Sequence, residues 1–104
     1  MTDAGELKVV NNAAEHRFEV RLGDDIALTE YRIEDDAIRF PHTEVPKAFE
    51  GRGVGSLLVK AGMQFARERG LPVKPACSFV AGYIARHPEY HDLVHPNWRK
   101  RVGV

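Results

Sequence analysis

A chain of 104 residues has room for one compact domain with one core and too little for two, so residues 1–104 are expected to form a single unit. Hydrophobic residues make up 43% and charged residues 29%, which excludes a disordered or membrane-spanning composition, while 15 basic against 15 acidic residues leave no net field to draw the chain to nucleic acid or an anionic membrane. The lone Cys77 excludes an internal disulfide, so a core must hold the fold and the thiol is free for chemistry.

Residues 1–6 are small and polar and are expected to be flexible. The opening MTDAGELK has neither a basic n-region nor an apolar h-region, which points to a cytoplasmic protein. Leu7, Val9 and Val10 can add a short edge strand. From Arg17, apolar Phe18, Val20 and Leu22 alternate with charged Arg17, Glu19 and Arg21, the period of a half-buried strand. Gly23-Asp24-Asp25 turns the chain into a second strand through Ile26, Leu28, Thr29, Tyr31 and Ile33. Glu34-Asp35-Asp36 turns it again into a third, with Ile38 and Phe40 inward, running on to Val45. Pro41 lacks a ladder donor and favours an edge or a bulge in that run.

Beyond Pro46 the period changes. Leu57, Leu58, Ala61, Phe65 and Ala66 predict an amphipathic helix from Gly55 to Arg69, closed by Gly70. A short extended segment, LPVKPACSF, follows, then a second helix from Phe79 to Arg86 that Pro88 limits. The tail 97–104 has no periodic apolar residues to anchor it and is expected to be flexible and solvated. The order β-β-β-α-β-α is an α+β layout, a mostly antiparallel sheet with a crossover helix and a second C-terminal helix.

Gly51, Gly53 and Gly55 alternate at the start of the first helix. Unsatisfied amides there, together with the helix dipole, favour an anion such as a phosphate; the plainer alternative is a tight strand-to-helix turn. A P-loop would need Lys and Ser or Thr after its last glycine, and Gly55 is followed by Ser56 and Leu57. A dinucleotide fingerprint would need an acid about 20 residues on, and none stands between Glu68 and Glu89.

The run from Val45 through Gly55 to Ser56 resembles the acyl-CoA loop of GNAT N-acetyltransferases, a strand ending in Val, a turn, and a glycine-rich helix start. Taken with FPHTEVP, FEGRGVGSLLV, PACSFVAGYI and RHPEYHDLV, it is similar to the small stand-alone GNAT-like family, the NATD1-like group, over Phe18 to Val94. The resemblance implies a minimal GNAT fold stripped of its early helices. It implies that amides from Arg52, Gly53, Val54, Gly55 and Ser56 bind the pyrophosphate of acetyl-CoA or coenzyme A. The open strand edge at Thr43, Glu44 and Val45 would pair with the pantetheine arm. The partners implied are acetyl-CoA and an unidentified amine, on a monomer or weak dimer. Glu50 stands where the family has Arg or Gln, so its side chain is expected to point away.

The family's acid is a Tyr on the last helix, but the pattern laid on Ala81 puts Ala85 there; Tyr83 is read as core or pocket wall. Two candidate catalytic residues remain. Cys77, near where the resemblance puts the acyl group, can accept the acetyl group as a thioester, or it is a buried structural cysteine. His42 can act as base for Cys77 or for the amine, or it hydrogen-bonds within the sheet. Glu44 is a weaker base candidate. His87, His91 and His95 recur every four residues, but Pro88 and Pro96 bracket them and break the helix a metal site would need, so no metal is expected. The function expected is transfer of an acetyl group from acetyl-CoA to an amine. The alternative is a CoA-binding or protein-interaction module without turnover.

Overall fold

The computed structural model describes residues 7–104. The frayed end expected for 1–6 lies outside the described residues. Seven strands run β1 (Val10–Asn12), β2 (Arg17–Leu22), β3 (Asp25–Glu30), β4 (Arg32–Glu34), β5 (Ala37–Arg39), β6 (Thr43–Glu44) and β7 (Val73–Lys74), with helices α1 (Val54–Arg69), α2 (Ser78–Ala85) and α3 (Arg99–Val102). They form two sheets, an antiparallel one in the order β1-β2-β3-β6 and a smaller one in the order β4-β5-β7, in which β5 and β7 are parallel. The α+β expectation holds, with the first edge strand shifted to Val10–Asn12.

The second and third expected strands are each divided, and one local event explains both. The register pairs Thr29 with Thr43 and Arg32 with Arg39. Three steps along one strand therefore face four along the other, which places one extra residue in the stretch Phe40-Pro41-His42. An extra residue is a β-bulge, and it bends the strand and reverses which face the following side chains occupy. Pro41 suits the site because it has no N–H to pair. On the opposing strand the bend falls at Tyr31, whose ring turns into the core and whose N–H bonds the carbonyl of His16 at 2.9 Å.

The core lies between the first sheet and α1. Register puts Val20 opposite Ala27 and Phe18 opposite Thr29, so these four share the face toward the helix. Leu58, Val59, Met63 and Ala66 are the buried stripe of α1. A fully buried Leu or Met contributes about 1.5–3 kcal/mol by leaving water. Gly62 lets the helix come in close, because a Cβ there would lie 2.8 Å from the Phe40 ring. Gly70 ends the helix with φ +66, as its sequence position implies.

The segment read as LPVKPACSF forms a regular strand only at Val73–Lys74 before turning into α2. The tail 97–104, expected to be flexible, is built into the fold: a 3-10 turn at Pro96–Trp98 leads into α3, Val102 is buried, and Arg101 donates to the carbonyl of Ala76 at 2.8 Å. The sequence missed this because a single buried valine has no periodicity. Among the described residues no helix is long and apolar enough to cross a membrane.

Candidate functional site

Two arms of backbone part company just after the bulge. β5 runs parallel to β7, and the pairing continues through the Phe40 N–H to the Lys74 carbonyl at 3.1 Å and the Cys77 N–H to the Phe40 carbonyl at 2.8 Å. Past that point β6 pairs only with β3 and is the edge of its sheet, while the other chain turns into α2 with Cys77 as its N-cap. The ladder between the two segments ends there, leaving a gap in the pairing that the Cys77–Thr43 side-chain contact spans. The Glu30 N–H bonds the His42 carbonyl at 2.8 Å, so by ladder alternation the N–H and C=O groups of Thr43 and Val45 face the open edge.

The start of α1 lies beside this gap and is left unfinished. Gly51 and Gly53 take φ values of +78 and +67, conformations that L side chains rarely adopt, and Gly53 is an N-cap without a side-chain cap. The first helical bond runs from the Leu57 N–H to the Gly53 carbonyl at 3.1 Å, and no acid stands in the first turn. The amides of Gly53, Val54, Gly55 and Ser56 therefore have no intrahelical acceptor. Arg52 differs from expectation, since its N–H is committed to the Phe49 carbonyl at 3.2 Å and is not free for an anion. Phe49 is fully buried and pins the turn, whereas Glu50 is exposed. Phe79, in the first turn of α2, lays its ring over Gly55: a Cβ there would meet it at 2.6 Å.

Cys77 and His42 are not brought together. The Cys77 thiol, partly buried, donates to Thr43 Oγ1 at 3.5 Å, and that hydroxyl shares a 2.9 Å hydrogen bond with the buried Thr29 hydroxyl. His42 lies on the other face, where its Nε2 donates to Glu44 Oε2 at 2.7 Å. The hydrogen bond to Glu44, helped by the Glu44 and Glu30 charges, raises the His42 pKa above its ordinary value. The expected role of His42 as base for Cys77 is therefore corrected, and the bulge is the cause. Unbroken alternation from Ile38 and Phe40 would turn His42 inward toward the cysteine, and the extra residue turns it outward. Thr43 was missed as the thiol's partner, and Thr29 as the hydroxyl behind it, for the same reason, although a hydroxyl at a core-facing strand position was a signal.

The remaining candidates fall elsewhere. Tyr83 is buried and stacks on His87 with ring centroids 3.9 Å apart, and burial raises its pKa. Ala85 is exposed and offers no acid. His87 Nδ1 donates to the Tyr83 carbonyl, His91 Nε2 donates to the Ile84 carbonyl, and His95 Nδ1 accepts from the Asn97 N–H, so each imidazole has its own backbone partner. On the outward face that also carries Glu44, Glu19 is buried between Arg17 and Arg21; burial acts to raise its pKa, but hydrogen bonds from Arg17 and Asn12 outweigh that and lower it.

Comparison with known proteins agrees with this architecture. The family model described as GCN5-related N-acetyl-transferase matches residues 17–93. The chain is 30% identical over 102 residues to protein NATD1 of Xenopus tropicalis, covering 92% of this chain and 93% of that one, and 28% identical to NATD1 of Mus musculus over the same length. The solution NMR structure of a GCN5-like protein from Staphylococcus aureus superposes with a TM-score of 0.68 at 31% identity, covering 86% of this chain and 88% of that one.

Proposed function

The chain belongs to the GCN5-related N-acetyltransferase family, and on that premise we propose that it binds acetyl-CoA and transfers the acetyl group to an amine, working in the cytoplasm. The observation that carries this reading is the unfinished start of α1, four adjacent amides without acceptors at the positive end of a 16-residue helix, next to an open strand edge. Acetyl-CoA supplies an activated acyl carbon. The amides of Gly53, Val54, Gly55 and Ser56 hold the pyrophosphate, and the Thr43 and Val45 backbone bonds the pantetheine arm, with Glu44 between them facing the acceptor side. The acyl group then lies in the gap near Cys77.

His42 takes the proton of the attacking amine at Nδ1, while Glu44 fixes Nε2–H and with it the tautomer. The pair stands on the face away from α1, which is the side open to an acceptor. Cys77 offers a second route. Its sulfur bonds the acyl carbon as the carbon–sulfur bond to CoA breaks, its proton goes to the departing sulfur, and the amine then attacks the thioester carbon, the bond to the Cys77 sulfur breaking as that sulfur takes up the amine's proton. The Thr43 hydroxyl beside the thiol supports that route by holding the sulfur at the mouth of the gap.

Two measurements test the reading. In a thermal-shift titration CoA and acetyl-CoA should raise the midpoint as RT ln(1 + [L]/Kd) requires, and ATP should do so less; no shift with either CoA species would sink the proposal. Intact mass after incubation with labelled acetyl-CoA should reveal an acetyl adduct that Cys77→Ala lacks if the covalent route operates. Labelling that persists in Cys77→Ala would rule that route out.

A further inference from the structure

The smaller sheet carries a row of cations that its own stability does not call for. Register sets Arg32 opposite Arg39 and Arg39 opposite Lys74, so three basic side chains lie abreast on adjacent strands. Neighbouring Cβ atoms across a ladder are roughly 5 Å apart, and like charges directly opposite destabilise a sheet. One carboxylate answers them: Glu34 lies 3.5 Å from Arg39 and 3.6 Å from Lys74, and Arg32 has no carboxylate partner among the described residues. The Nε of Arg39 is also buried without a hydrogen-bond partner. A charged donor left unsatisfied is costly, and a guanidinium fork suits carboxylate or phosphate oxygens.

The row shares a face with the His42–Glu44 pair. Arg39 adjoins inward-facing Phe40 and so points away from the core, and Glu44 pairs with Leu28 on the same outward side. From Arg39 to His42 is three residues, at most roughly 10 Å at the usual rise of a strand, since the bulge bends this stretch. We propose, building on the acetyltransferase reading, that the Arg32–Arg39–Lys74 row recognises the acceptor. The acceptor class is then an amine whose own chain carries carboxylate or phosphate groups about 10 Å from the reacting nitrogen. The anion pairs with exposed Arg32 and with the exposed part of the Arg39 guanidinium and separates the like charges, while Glu30 and Glu44 on the same face draw the amine to His42.

The test uses two capped peptides, Gly-Lys-Gly-Gly-Glu-Glu and Gly-Lys-Gly-Gly-Gln-Gln, on the full chain with acetyl-CoA. KM should be at least ~10-fold lower for the glutamate peptide, a difference of about 1.4 kcal/mol. In Arg32→Ser/Arg39→Ser the two peptides should become equal, with the loss in KM and not kcat. Amide-shift titration of the CoA-loaded protein with the glutamate peptide should move Arg32, Arg39 and Lys74, and this reads binding without turnover. Equal KM values in the wild type, a preference that survives the double variant, or no amide shifts along the row would each overturn the proposal. Lys74→Gln, at the edge of the row, repeats the comparison if the double variant is unfolded. CoA-induced stabilisation measured on the same samples reports on cofactor binding separately.

Discussion

The two ends of α1 are treated in opposite ways. At the C-terminal end every available device is used: Gly70 in the left-handed region donates to the carbonyls of Ala66 and Arg67, and the Leu71 N–H bonds the Ala66 carbonyl. Arg67 adds a two-nitrogen pairing with Asp92 at 3.0 and 3.2 Å and a bond to the Glu89 carbonyl. At the N-terminal end there is no capping side chain and no acid in the first turn. A helix start that lacks caps while Val54 and Gly55 are buried is a cost to the free protein, and a bound anion would remove it. One end serves stability, and under the proposed function the other receives the cofactor's phosphates.

The sharpest way to break this contrast is Gly53→Val. A branched residue at φ +67 costs at least about 1–2 kcal/mol, and its side chain would stand in the open space beside the amides that an anion would need. CoA at a hundred times its Kd stabilises by about 2.7 kcal/mol, and that gain should vanish in the variant. A full CoA-dependent rise in melting temperature in Gly53→Val would mean that this end of the helix does not bind the cofactor.

That helix was legible because its apolar spacing is local, and so was Gly70. The strand meander was equally readable from the alternation around Phe18 to Leu22. What could not be read was the phase of the strand after Pro41. A bulge is a property of two strands together, visible only once Thr29 meets Thr43 and Arg32 meets Arg39. Pro41 hinted at a disturbance without saying that one residue would be inserted. As a result Cys77 and His42 could be named as candidates from the sequence, but their hydrogen-bond partners could not. The cation row was hidden for the same reason, since Lys74 joins the arginines only through a parallel pairing with a strand far away in sequence.

Gly70→Ala probes the finished end. It should cost about 1 kcal/mol, a drop of roughly 4–8 °C in melting temperature, and leave the CoA-induced gain intact. Loss of both together would show that the ends are not independent.

Glu44→Gln sharpens the picture on the acceptor face. The hydrogen bond to Glu44 raises the folded pKa of His42, so its stabilising effect is present below the unfolded value near 6.5 and disappears as pH rises through the folded one. The stability difference between wild type and variant should therefore be seen at mildly acid pH and fade on the alkaline side. If His42 is the base, the rising limb of the pH–rate profile should move to lower pH in Glu44→Gln; an unmoved limb would assign the proton transfer to another group.

The smallest effect is expected from Arg67→Ala. The pairing is exposed, and its hydrogen bond to Asp92 lowers the acid's pKa, so the stability it adds is present above the ordinary carboxylate range and lost as pH falls through the folded value. Urea midpoints of wild type and variant should differ slightly at neutral pH and converge in acid. A difference that widens in acid would contradict the assignment.

The absent side chain at Gly62 has a mechanical consequence. It seats the middle of α1 directly on the ring of Phe40, which is followed at once by the bulge and two residues later by His42. The middle of the helix is thus seated on Phe40. Under the proposed function, a shift at the end that grips a phosphate would reach His42 through that one aromatic ring, so grip and chemistry would share a single rigid part.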